Sequence, residues 1–290
     1  MLRGARTMNW QARRLRAVFV AAPALFMVAT LVVPALGGLA DSFDRGGPSL
    51  ENYAALARDP MFWRAALDNL LLPIASLALE LAAGLAMALT ITARARRSPV
   101  LEAAAILPFA IPEIVILTIA RYLLMPRGYV NGALAAVGIA PAAWLAPRGS
   151  LAMLSIVVVD AWHVTPIVML MLVAGLQTIP AELYEAARLD GAGPLAAFRY
   201  VTLPMLAPAI AGAAILRGID ALRIFSTVLV LTGPEAVPVL STYAYGQWTD
   251  AQAPRVAMAA AMVLALMVTV FALGGALAVR RWSSDLGARA

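Results

Sequence analysis

Apolar positions gather in six stretches, at about 17–39, 66–92, 101–125, 152–176, 203–231 and 256–279, and polar residues are concentrated in the segments between them. Each stretch can cross a hydrocarbon core about 30 Å thick at roughly 1.5 Å per residue, the longest by tilting or kinking. A lipid-exposed backbone must satisfy its hydrogen bonds within its own segment, so six helical spans are predicted. The fold class is an all-α polytopic membrane protein. The first stretch follows Arg13, Arg14 and Arg16 as a secretory signal would, but it exceeds the roughly 7–15 residues of a signal core and reads as a retained span. Pro108 and Pro112 interrupt the third stretch and Pro166 the fourth. Each leaves a carbonyl without its usual partner, so kinks are expected there, either shaping a cavity or packed against neighbouring helices.

Arginine sets the orientation. With the N-terminus inside, the inner segments hold Arg3, Arg6, Arg13, Arg14, Arg16, Arg94, Arg96, Arg97, Arg188, Arg199, Arg280, Arg281 and Arg289. The outer segments hold only Arg45, Arg58, Arg64, Arg127, Arg148 and Arg255. This asymmetry places both termini in the cytoplasm. The resulting organisation is a cytoplasmic segment at 1–16, a transmembrane domain at 17–282 and a cytoplasmic tail at 283–290. Outer connections fall at about 40–65, 126–151 and 232–255, and Trp63, Trp144 and Trp248 lie near expected membrane interfaces, where amphipathic rings anchor.

Composition narrows the function. Hydrophobic residues make up 62% and charged residues 13% of the 290, against about 45–50% and 25% in soluble domains. The +6 net charge comes entirely from arginines that border apolar runs, and no lysine is present. They form no continuous basic patch, so nucleic acid is not an expected partner. Without lysine the usual phosphate loop cannot form, and any ATP hydrolysis belongs to another polypeptide. With no cysteine and one histidine, thiol catalysis is excluded and a transition-metal cluster is not expected. The chain is read as non-catalytic, with no bound metal or cofactor.

One polar island stands out. Residues 182–190 are predicted to form a short helix, started by Pro180, with Glu182 near its positive N-terminal end and Gly191 permitting a turn after it. A second helical piece, about 194–200, leads through Leu203-Pro204 into the fifth span. Leu183, Ala186, Ala187 and Leu189 provide apolar surface beside Glu185 and Arg188. That composition suits either docking into a groove of a soluble partner or lying on lipid headgroups.

Glu185-Ala186-Ala187, three residues, Gly191, nine residues, then Val201-x-Leu203-Pro204 resembles the cytoplasmic signature of binding-protein-dependent ABC importer permeases. Asp190-Gly191-Ala192, Phe198, Pro208, Arg217-Gly218-Ile219-Asp220, Phe225 and Leu231-Thr232-Gly233-Pro234 are similar to the type I sugar-permease branch, the maltose-transporter-like family. So are Asn69-Leu70, Ile106-Leu107-Pro108 and Gly128-x-x-Asn131; the likeness covers roughly 17–282. Ser226 stands where the branch often has aspartate, and the turn after Thr232 is short. The resemblance implies a type I importer permease fold in a bacterial or archaeal cytoplasmic membrane, with a coupling helix within 182–200. Its ATPase-coupling residues would be Glu185, Ala186, Ala187, Arg188, Asp190, Gly191, Leu203 and Pro204. Implied partners are a second homologous permease, two ATPase subunits holding ATP and Mg²⁺, an extracytoplasmic solute-binding protein and membrane lipid. The implied cargo is a sugar or oligosaccharide. A glycerol-phosphate-type solute is the alternative, since Arg217 and Arg223 suit an anion, and an ion-coupled secondary transporter is a further one.

Glu80, Glu113, Arg121, Asp160, His163, Arg217, Asp220 and Arg223 fall in or near the spans, where charge is costly and faces protein or water. Arg217, Asp220 and Arg223 recur every three residues, which predicts a stripe with Arg217 paired to Asp220 and Arg223 reaching another helix. The stripe reads either as a pathway wall or as an ion network at a subunit interface. Asp160, Trp162 and His163 offer a relay, a sugar-binding wall or a structural pair. Tyr243, with Tyr245, Gln247 and Trp248, offers aromatic and polar contacts on the outer side.

Overall fold

A computed structural model describes residues 10–44, 46–93, 99–147 and 149–287. Arg3, Arg6, Arg45, Arg94, Arg96, Arg97, Arg148 and Arg289, used above for orientation, lie outside them, as do residues 1–9 of the expected N-terminal segment and 288–290 of the tail.

The chain begins with α1 (Trp10–Met27), a π-helical turn (Val28–Val32) and α2 (Val33–Ser42), which run on as one helix. The short α3 (Glu51–Arg58) precedes α4 (Pro60–Ala93). Next come α5 (Pro99–Ala110), α6 (Glu113–Leu124), α7 (Tyr129–Ala136) and α8 (Ser150–Gln177). The island supplies α9 (Ala181–Leu189), α10 (Pro194–Ala197) and a π-helical turn (Phe198–Thr202) that enters α11 (Leu203–Leu222). Finally α12 (Ser226–Leu231), α13 (Leu240–Thr249) and α14 (Pro254–Gly287) follow. The helix that ends in α14 thus runs through 283–287, where a tail was expected.

Among the described residues, five helices are long and apolar enough to span: Phe19–Ser42, Pro60–Thr92, Leu151–Gln177, Pro194–Leu222 and Pro254–Arg281. The sixth span exists only as a bent pair, Ala103–Ala110 with Glu113–Ala136, folded by 91°. Here the proline expectation holds in a stronger form than a kink. Pro112 begins α6, and its carbonyl accepts the amides of Val115 and Ile116. Pro166, by contrast, sits inside a helix that continues on both sides of it.

The fifth apolar stretch requires a correction. It is not one helix over 203–231, because α11 stops at Leu222 and α12 starts at Ser226. No proline or glycine marks the break; distant side chains hold it open instead. The amide of buried Asn69 on α4 donates to the Leu222 carbonyl at 3.1 Å, and its oxygen accepts the Leu240 amide at 3.1 Å. The Ser241 hydroxyl donates to the Ile224 carbonyl. Arg121 of α6 donates to the Val230 carbonyl at 3.1 Å, placing a cation at the negative end of α12. Backbone groups freed by the break are therefore paired inside the protein, as membrane burial demands.

Two apolar cores divide the central helices. One joins Leu72, Ile156, Val228, Leu231 and Val239; the other joins Ala88, Val168, Met169, Leu172 and Leu206. A third, around Leu56, Phe62, Leu240 and Ala259, seats α3 and α13 against α4 and α14. Trp144 departs from its expected role as an interface anchor: it is half-buried and donates through Nε1 to Asn131 at 3.0 Å. The buried Asn131 also binds the backbone of Met125, Pro126 and Ala142, so these residues fasten an outer loop. Trp63 and Trp248 stay exposed, as anchors would.

Candidate functional site

Between the first two cores lies a layer of charge. Arg217 on α11 donates to Glu80 of α4 from Nε at 2.8 Å and from Nη2 at 3.0 Å, a two-pronged pairing. Its Nη2 also donates to Asp160 of α8 at 2.7 Å. All three residues are buried, Glu80 completely. The expected Arg217–Asp220 pair is therefore not what forms. Neighbours three apart on a helix meet only if no better partner faces them, and Glu80 buried in α4 is a far stronger claimant on that cation. The sequence marked Glu80 as an intramembrane charge but did not assign it to the site. The available signal was that a carboxylate inside a span must find a cation.

Beside this layer opens a polar cavity of about 220 Å³, lined by Glu113, Asp160, His163, Arg217, Asp220 and Arg223, with Thr227 donating to Glu113 at 3.3 Å. Five of the six predicted stripe and relay residues converge here: Asp160, His163, Arg217, Asp220 and Arg223. Asp220 and Arg223 are exposed toward the open side, and Arg223 has no carboxylate partner among the described residues. His163 stacks on Phe109, with ring centroids 6.0 Å apart, and makes no hydrogen bond with Asp160. Asp160 and His163 therefore share the cavity without a direct hydrogen bond, and the imidazole lies against Phe109 of α5. No cluster of metal ligands occurs among the described residues.

Two predicted site residues lie elsewhere. Trp162 faces away from the polar cavity into a mostly apolar cleft of about 410 Å³ between α4, α5 and α8, with Pro108 and Pro166 in its walls. Tyr243 is buried, and its hydroxyl donates to Asp59 at 2.6 Å, fastening α13 to the start of α4. Burial, and then the adjacent Asp59 carboxylate, push the pKa of that phenol above its ordinary value, so it stays a donor. These residues therefore line no wall of the polar cavity.

The island forms as its sequence requires. Pro180 supplies the N-cap position of α9 and Glu182 lies in its first turn, where negative charge is favoured. Gly191 takes φ +80°, the left-handed region that closes the helix with little strain only for glycine. Its amide and that of Ala192 return to the Arg188 and Ala187 carbonyls. Tyr184 makes a 3.0 Å hydrogen bond with Thr202, tying α9 to the root of α11. Glu185, Ala186, Arg188 and Asp190 are exposed; Ala187 is half-buried, and Leu203 and Pro204 begin α11. Leu189 is 89% exposed and Leu195 78%, an apolar surface that none of the described residues covers.

Residues 80–283 match the family described as "Binding-protein-dependent transport system inner membrane component". The trehalose/maltose transport system permease protein MalF of Thermococcus litoralis is 39% identical over 63% of this chain and 62% of its own length. The sulfoquinovosyl glycerol transport system permease protein SmoG of Agrobacterium fabrum is 32% identical over 76% and 75%. The trehalose transport system permease protein SugA of Mycobacterium tuberculosis is 33% identical over 76% and 74%. In fold, the chain superimposes with a TM-score of 0.84 on a chain of a bacterial ABC transporter involved in the import of the acidic polysaccharide alginate. That match covers 93% of this chain and 96% of the other at 22% identity. The overall fold is thus shared with that chain, and by its family match the chain belongs to the family of binding-protein-dependent inner-membrane permeases of ABC importers.

Proposed function

We propose that this permease imports an uncharged sugar or oligosaccharide, powered by ATPase subunits that dock on residues 181–204. A second homologous permease, two ATPase subunits and an extracytoplasmic solute-binding protein would complete the machine. Glu185, Ala186, Ala187, Arg188, Asp190 and Gly191 would form the docking helix, and Leu203-Pro204 would carry its displacement into α11. The uncovered Leu189 and Leu195 beside charged groups fit a groove in a soluble partner.

One observation carries the choice of cargo. Arg217, half of the pair that suited a phosphate, is already held by Glu80 and Asp160. The cavity, with Glu80 behind it, brings Glu80, Glu113, Asp160 and Asp220 against the guanidinium groups of Arg217 and Arg223. Such a wall offers hydrogen bonds to hydroxyl groups and a poor reception to an anion. The relatives named for trehalose and maltose point the same way.

The test is purification of the assembled complex with its binding protein, reconstitution into liposomes, and measurement of solute-stimulated ATP hydrolysis. Trehalose, maltose or another neutral saccharide should stimulate it, whereas glycerol phosphodiesters and uronic-acid oligosaccharides should not. Stimulation only by the acidic solutes would overturn the choice of cargo. A lone chain that transports without nucleotide would overturn the drive.

A further inference from the structure

The island hangs between two arms, since α8 descends into α9 and α11 rises from it. Arg217 lies 14 residues along α11 from Leu203, and Asp160 lies 17 residues along α8 from Gln177, about 21 and 26 Å at 1.5 Å per residue. At that height a single guanidinium bridges the two arms and adds α4 through Glu80. The layer coincides with the gap between the two apolar cores on α4, α8 and α11. Dispersion contacts resist separation of helices but allow sliding, whereas a forked, bidentate pairing fixes orientation. Arg217 and Asp160 also form part of the cavity wall. The same side chains thus sit at the far end of the arms and at the surface past which solute moves.

We propose that Arg217 is a positioning residue: it locks α4, α8 and α11 into one rigid body, so that a displacement of the island arrives undiminished at the cavity wall. This rests on the reading of residues 181–204 as the ATPase-docking segment. Glu80 and Asp160 are its two anchors, and replacing the trio by apolar side chains should preserve packing while removing direction.

The chain contains no cysteine, so spin labels can be attached at introduced cysteines without background from this chain. Labels at Val158 on α8 and Leu216 on α11, both exposed, would report the spacing of the arms in the reconstituted complex. The wild type should give the same spacing without nucleotide and with ATP trapped. The variant Glu80→Met/Asp160→Leu/Arg217→Met should assemble, yet show a nucleotide-dependent or broadened spacing. Solute moved per ATP should fall at least tenfold. Arg217→Lys, which keeps the charge and loses the fork, should fall between the two. Unchanged spacing and unchanged solute per ATP in the apolar variant would overturn the proposal, as would a wild-type spacing that changes with nucleotide. Cross-linking of a cysteine at Leu189 to the ATPase tests the docking reading separately, because the spacing of α8 and α11 is measured wherever the ATPase binds.

Discussion

The island at 181–204 and the charged layer around Arg217 are both polar interruptions of an apolar chain, but they are built in opposite ways. The island is local: its cap, its turn and its exposed residues follow one another in sequence, and Tyr184 to Thr202 is its long tie. The layer is assembled from three helices, with Arg217 reaching 57 positions back to Asp160 and 137 back to Glu80. One presents charge to water; the other hides it. Consequently the island can change its contacts without disturbing the fold, whereas the layer cannot lose a member without stranding the rest.

The strongest way to break that contrast is Arg217→Leu. It leaves Glu80 and Asp160 buried with no cation, a loss of about 3–5 kcal/mol when one partner of a buried pair is removed. Thermal unfolding of the purified complex in mild detergent should drop sharply and assembly should suffer. A change no greater than that from an exposed substitution would mean the layer is as dispensable as a surface. A smaller effect is expected at the island end of the arms, where Gly175 lets α8 and α11 touch. A Cβ there would stand 2.5 Å from the Ala209 methyl and 2.8 Å from Leu206. Gly175→Val should cost up to about 3 kcal/mol through overpacking, read in the same unfolding assay. If the two arms tolerate it, they are not held as closely as the layer above them requires.

The same contrast explains what could be read from the sequence. The island was legible almost residue by residue, because helix capping, a left-handed glycine and spacing are local signals. The six apolar stretches were legible as composition, and the prolines of the third announced its break. The break at 223–225 was invisible because its carbonyls are satisfied by Asn69 and Ser241, and only the folded chain brings these together. Arg217 was recognised as a costly charge, but sequence proximity nominated Asp220 where tertiary packing supplied Glu80. Trp162 and Tyr243 had suitable chemistry for a pathway, yet helix rotation and the Asp59 contact direct them elsewhere.

On the island, effects should appear in association and spare folding. Leu189→Asp puts a carboxylate on the most exposed apolar side chain of α9, and a well-seated interface anchor is worth about 2 kcal/mol, roughly a thirtyfold loss of affinity. Binding of the purified ATPase to the reconstituted permease should weaken accordingly, while the unfolding temperature of the permease alone stays at the wild-type value. An equal fall in both would place Leu189 in the fold and erase the distinction between the two regions.

The smallest effect tests whether the island's shape, apart from its contacts, matters. Gly191 and Gly193 both have open space around the position of a Cβ, but only Gly191 holds a positive φ, at +80° against −72° for Gly193. A methyl group at Gly191 meets no neighbour; it strains its own backbone by about 1 kcal/mol. Gly191→Ala should therefore weaken ATPase binding about fivefold, because the end of α9 must distort to seat. Gly193→Ala should leave binding unchanged. If the two alanines behave alike, the turn after α9 is a passive link, and the docking surface is set by side chains alone. If they differ as expected, the left-handed turn fixes the angle at which α9 meets its partner, and the local half of the molecule has a rigidity of its own to set beside that of the charged layer.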